Sequence, residues 1–212
     1  FIEGLYEDQK QGEKVKVTCT KSNEGFATAG GVQYVACAGN FKDAGLEYTG
    51  ALKVLQMIFS YEYLWIQIRV KGGAYGCMCS FSDQGDSMFV TYRDPNLSES
   101  YKVYDEAADY VADFDADDRD MKKYIIGTIG SMDMPMEAVD MGARSFHAYF
   151  LGKTEADLQK VRDQVLSCTQ EDIRALAPIV KAVVEAGNRC CIGNEEKIDQ
   201  NKEYFDEVKH VL

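Results

Sequence analysis

Apolar and polar positions alternate in the first part of the chain, and helical spacing takes over later. "VKVTC" at 15–19 alternates, and so does "VQYVACA" at 32–38 after the Gly30-Gly31 pair, so both predict strands. Residues 1–8 read as the tail of a helix. From Leu46 to Val70 the apolar residues recur at helical spacing, with Leu52, Leu55, Ile58 and Phe59 on one stripe. A second helical piece carries Leu64, Ile66 and Ile68, with a break expected near Ser60. Trp65, the one tryptophan, reads as a packing anchor on that piece. "YGCMCSFS" and "SMFVTYRD" alternate on either side of "DQGD" at 83–86, which predicts a hairpin. Pro95 in "RDPNL" then halts the sheet.

The rest of the chain is mostly helical in pattern. Tyr101, Tyr104, Ala108 and Val111 mark one apolar stripe, and a Met/Tyr/Ile series from Met121 to Ile129 marks another. "SMDMPMEAVDMGARSFHAYFLG" follows. Two further helices open on "TEAD" at 154 and "TQED" at 169, each able to form a capping box between threonine and the acid three residues on. "NRCCIG" predicts a last short strand before a polar C-terminal helix. Strands first and helices afterwards, with a hairpin among the strands, indicate an α+β fold: a mainly antiparallel sheet with helices packed over it. No linker or repeat divides residues 1–212, which read as a single domain.

Composition narrows the function classes. The net charge of −12 leaves no basic face for a nucleic acid. Its plain reading is a solvated acidic surface, and its sharper reading is attraction for basic peptides. No apolar run is long enough to span a bilayer; the nearest, "GALKVLQMIFSYEYLWIQI", is interrupted by Lys53, Ser60 and Glu62. The N-terminus is acidic without an apolar core and lacks an initiator methionine, as an excised fragment would. Seven scattered cysteines without a C-x-x-C pair read as free thiols, placing the protein in the cytoplasm or another reducing compartment, an organelle matrix if eukaryotic. Cys77 and Cys79 would share a strand face, but no histidine or third cysteine stands beside them to complete a metal site.

Candidate chemistry is sparse. His147 and His210 are the only histidines, and neither belongs to a metal-binding cluster. His147 beside Phe146 and Tyr149 reads as packed or solvated. No nucleophile elbow, phosphate loop or dinucleotide fingerprint occurs. What stands out is "IRVKGGAYG", Ile68 to Gly76. A helix stop at Lys71, with a glycine in the left-handed position after it, explains Lys71, Gly72 and Gly73. It does not require Tyr75. A tight reversal there would bring Arg69 and Tyr75 together, a cation and a phenolic donor suited to a polarised carbonyl or a developing oxyanion.

"YLWIQIRVKGGAYG", "FVTYRDPNL", "IIGTIGSMDMPMEAVDMGARSF" and "LGKTEADLQKVRDQVLSCTQEDIRALA" occur in this order, and over roughly residues 14–195 the chain resembles the C-terminal domain of insulinase/pitrilysin-type zinc metalloproteases, in their presequence-protease branch. The resemblance implies the domain repeat of that family, four related α+β domains in two halves that close around unfolded peptides. It implies that zinc and the general base belong to the N-terminal half, with no metal ligand in this chain. It also implies that Arg69 and Tyr75 reach the substrate across the chamber, binding it and stabilising the transition state. The rival expectation is a non-catalytic structural or interaction subunit of the same fold.

Overall fold

The computed structural model describes Lys16, Thr18 and residues 20–211. The helix tail at 1–8, Cys19 and the strand expected at 15–19 lie outside the described residues, apart from Lys16 and Thr18. The first described strand is one that alternation did not single out, β1 (Glu24–Thr28), with Gly25 and Ala27 turned inward. β2 (Tyr34–Asn40) follows two residues later than expected, because Gln33 instead bridges to Asp94. A short turn of 3-10 helix, Phe41–Ala44, leads to α1 (Ala51–Tyr61), whose stripe of Leu52, Leu55, Ile58 and Phe59 is fully buried. The expected break falls at Glu62 rather than at Ser60, since Ser60 satisfies its hydroxyl on the Gln56 carbonyl and stays helical. A wider, π-wound turn, Trp65–Lys71, completes this arm.

The hairpin forms as expected from β3 (Gly76–Phe81) and β4 (Asp86–Tyr92). The helices come next: α2 (Ser98–Asp105), α3 (Ala107–Ala112), α4 (Asp118–Met132), α5 (Ala138–Phe150), α6 (Glu155–Leu166), α7 (Gln170–Arg174) and α8 (Ala177–Glu185). Both capping boxes are present, Thr154 with Asp157 and Thr169 with Asp172. Tyr101, Tyr104 and Val111 are buried as their stripe predicts, and the two phenols donate to the carbonyls of Cys190 and Val35. No residue of α5 is buried among those described, and Phe146, Tyr149 and Phe150 stay exposed.

β5 (Asn188–Asn194) does not end the sheet but enters its middle. The polar C-terminal helix is only the short α9 (Glu195–Gln200), and the chain then adds β6 (Glu207–His210) in parallel to β1. The ladder bonds to β1 outweigh helix formation in this weakly patterned stretch. The strand order is β3-β4-β2-β5-β1-β6, antiparallel from β3 to β5 and parallel at β5-β1-β6. The fold is α+β, with a mixed, mainly antiparallel sheet.

Helices cover one face of this sheet. α8 lies so close to β2 that a Cβ on Gly39 would come within 2.5 Å of the Val183 carbonyl oxygen and 2.8 Å of Ala186 Cβ. Gly39→Ala should therefore push two main chains apart and cost about 1–3 kcal/mol, as other overpacked core positions do. The midpoint of urea unfolding checks this; an unchanged midpoint would mean that the two elements do not meet at Gly39.

Candidate functional site

The site grows from the way the α1 arm ends. Its last turn is wound wide, so that the Gly72 N–H reaches the Gln67 carbonyl, an i→i+5 bond of 3.0 Å. Gly73 then adopts φ +81°, the left-handed conformation in which a Cβ is costly. The helix thus stops where expected, with Gly73 as the left-handed glycine, and the Ala74 N–H folds back onto the Ile68 carbonyl at 3.1 Å. Tyr75 N–H then joins the sheet by donating to the Arg93 carbonyl at 3.3 Å.

This reversal is held from below by the loop after β4. Asn96 Nδ2 donates to the Gly72 carbonyl at 2.6 Å. The backbone N–H of Asn96 donates in turn to Asp94 Oδ1 at 2.9 Å, and the Ser100 hydroxyl donates to Asp94 Oδ2 at 2.6 Å. Gln33 and Asp94 exchange two backbone bonds of 2.7 and 2.8 Å. Burial raises the pKa of the Asp94 carboxyl above its ordinary value, while the Ser100 and Asn96 donors pull it back down. Arg93, between β4 and this loop, carries the one positive φ of a non-glycine among the described residues, +50°.

The two residues singled out in "RVKGGAYG" do come together. The Arg69 guanidinium lies 4.2 Å from the centre of the Trp65 ring, one helical turn back, and 5.8 Å from the centre of the Tyr75 ring. Trp65 is thus a platform for the arginine and not only a packing anchor, and it remains 38% exposed. Tyr75 is 65% exposed. Arg69 also acts on Cys77, whose thiol burial pushes up to about 11 against the pull of the guanidinium. An accessible cation beside an accessible phenol can donate to a carbonyl oxygen or to negative charge growing on one.

Sequence reasoning missed the neighbours of Tyr75. Its ring packs edge-on against Tyr92 at 5.8 Å, and Tyr92 packs edge-on against Tyr34 at 5.5 Å. The signal was available in the alternation. Phe89 and Thr91 point into the core, as Val35 does, so Tyr92 and Tyr34 must take the opposite face. Cys77 and Cys79 do share a face, the one turned toward the core. His147 and His210 are both exposed. Among the described residues no group of three or more His, Cys, Asp or Glu is placed to hold a metal ion.

A family model described as PreP C-terminal domain matches residues 23–194. The chain belongs to that family. It is 43% identical over 192 residues to Protein HypA of Clostridium perfringens, covering 91% of this chain and 20% of that protein. It is 34% identical over 194 residues to Presequence protease 1, chloroplastic/mitochondrial, of Arabidopsis thaliana, covering 90% of this chain and 18% of that one. The chain therefore spans about a fifth of the length of these relatives. In fold it matches a peptidase M16 inactive domain from Pseudomonas fluorescens, with a TM-score of 0.58 at 14% identity over 84% of this chain and 45% of that one.

Within this family domain the Asn96 contact places the reversal. Asn96→Ala should leave the Gly72 carbonyl without its donor and cost about 1–2 kcal/mol. It should also change the emission of Trp65, because the Arg69 stack depends on the same turn. A loss of stability with an unaltered tryptophan spectrum would show that Asn96 does not position the arginine.

Proposed function

We propose that residues 1–212 are the C-terminal, zinc-free domain of a zinc metalloendopeptidase that degrades unfolded peptides in a closed chamber. The observation that carries this reading is the Trp65–Arg69–Tyr75 cluster, a stacked cation and an accessible phenol held at the edge of a sheet face that no described helix covers. Family membership and the names of the presequence-protease relatives support it. The described residues do not fit a zinc ion, so the metal and the base that activates water are assigned to the N-terminal half of the same polypeptide, the partner of this domain. A reducing compartment, cytoplasm or organelle matrix, agrees with the free thiols of the described cysteines and with the organellar names of relatives. No helix among the described residues is long and apolar enough to cross a membrane.

In this reading Tyr75 donates its hydroxyl proton into a hydrogen bond with the scissile or neighbouring carbonyl oxygen. Arg69 offers the planar fork of its guanidinium to the substrate backbone and holds the tyrosine ring in place. Both groups act across the chamber from the metal, so catalysis waits for the two halves to close.

Three results are expected. The isolated chain should retain no zinc after dialysis and should cleave no peptide, as elemental analysis and a peptide assay would read. In the full-length protein Tyr75→Phe, which keeps the ring, should lower kcat by about 10²–10³, as for other oxyanion donors. Arg69→Lys should also impair turnover, since a point charge replaces a fork. Steady-state kinetics on an unstructured peptide decides, with melting temperature and zinc content checked. Unchanged kcat and KM in Tyr75→Phe would reduce the segment to a helix stop followed by a strand and favour a non-catalytic subunit.

A further inference from the structure

The face of the sheet away from the helices is not the polar surface that the solvent side of an antiparallel sheet ordinarily presents. It carries Tyr34, Met78, Met88, Tyr92 and Ile192, between 39% and 56% exposed, with Tyr75 at 65% beside them. The register makes them one surface. Tyr34 stands opposite Ile192, and Met78 pairs through Val90 to Ala36 across the same strands. Exposed apolar side chains clustered on one face mark a place where something binds.

Within this surface three rings form an ordered series. Tyr75, Tyr92 and Tyr34 stack edge to face at 5.8 and 5.5 Å, running across the strands from the Arg69 guanidinium toward Ile192. The strand partner of Tyr92 on β3 is Gly76, which places no side chain beside the ring. None of the three phenols donates or accepts a hydrogen bond within the described residues, so the hydroxyls stand free beside apolar ring surface. That combination suits an extended peptide, which offers carbonyl acceptors along its backbone. Every second side chain of such a peptide lies on one face, roughly 6.6–6.8 Å apart. The ring centres, 5.8 and 5.5 Å apart, are set about 1 Å closer than this repeat, so the series meets one bulky side chain and does not follow a run of them. Charge agrees as well: in a chain of net charge −12, the Arg69 guanidinium stands at this end of the series, where carbonyl dipoles or a carboxylate would be met.

We infer that Tyr75, Tyr92 and Tyr34 form a shelf for a bulky apolar, above all aromatic, side chain of an extended peptide whose backbone lies against Arg69. This rests on the peptide-handling reading above and adds to it a preference: Tyr92 and Tyr34 determine specificity and take no part in bond breaking.

The test uses the full-length protein and two unstructured peptides of Gly/Ser background, alike except for a single Phe or Ala. Fluorescence anisotropy gives Kd, and steady-state kinetics gives KM and kcat. Wild type should favour the Phe peptide by about five- to tenfold in Kd and KM, the size of one aromatic pair. Tyr92→Ala and Tyr34→Ala should bring that ratio toward one, and Tyr92→Phe should restore it. A ratio that survives both alanine variants would overturn the shelf. So would an equal loss for both peptides, or a fall in melting temperature alone, since either means that the rings serve packing or cover another part of the parent chain. The kinetic role of Tyr75 fails separately. If Tyr75→Phe leaves kcat unchanged while Tyr92→Ala still abolishes the preference, the shelf stands and the transition-state role falls.

Discussion

The arrangement of the site depends on the hydrogen bond from the Asn96 amide to the Gly72 carbonyl. A helix end leaves carbonyls without partners, and a reversal as tight as the one at Gly73 exposes them further. Asn96 supplies the missing donor, Asp94 holds Asn96, and Ser100 from α2 holds Asp94. Gln33 ties the same loop to β2 by its backbone, and its side-chain oxygen accepts from the Asn194 N–H at the end of β5. A polar chain therefore runs from α2 and β5 to the last turn of the α1 arm. Each member is satisfied, which is the condition under which a buried polar network stiffens a structure instead of weakening it. Trp65, Arg69 and Tyr75 are positioned by this backbone clamp and by ring contacts.

The two faces of the sheet divide the work. On the helix side, Phe59, Phe81 and Phe89 pack into one another, and α8 presses on Gly39. Burial of these side chains supplies the drive to fold, roughly 1.5–3 kcal/mol for each large apolar residue. The opposite face keeps its tyrosines and methionines accessible, and the Arg69 cluster stands at its edge. Conformational freedom is thus spent on one side, and a surface able to bind is left on the other. The wide turn at Trp65–Lys71 fits this division, because it points Arg69 back over Trp65 and toward Tyr75 without opening the core beneath Ile68.

Much of this was legible before any coordinates. The α1 stripe, the two capping boxes, the β3-β4 hairpin and the stop at Gly72-Gly73 are local: each is decided by residues within a few positions of one another, through periodicity, a side chain that satisfies a neighbouring N–H, or a conformation only glycine tolerates. The pairing of Arg69 with Tyr75 was legible for the same reason, since one reversal separates them. The small errors were local too. Gln33 left the strand pattern to bridge to Asp94, and the break moved from Ser60 to Glu62 because a hydroxyl can be satisfied inside a helix.

Only tertiary structure decided which strands are neighbours beyond the β3-β4 hairpin. β1 and β6 carry short, weakly patterned sequences, and β5 reaches the middle of the sheet from beyond seven intervening helices. Periodicity says which side of a strand is apolar, but strand pairing over such separations leaves no local mark. The tyrosine series follows from that pairing. Tyr34, Tyr75 and Tyr92 come from different segments, and Tyr34 and Tyr92 each alone read as an ordinary aromatic in a strand. The sequence by itself determined the helix faces, the caps, the turn and the two residues that flank it. The fold decided that three separate rings and one stacked arginine share a surface, because only the register of β2 on β4 and of β4 on β3 sets them side by side.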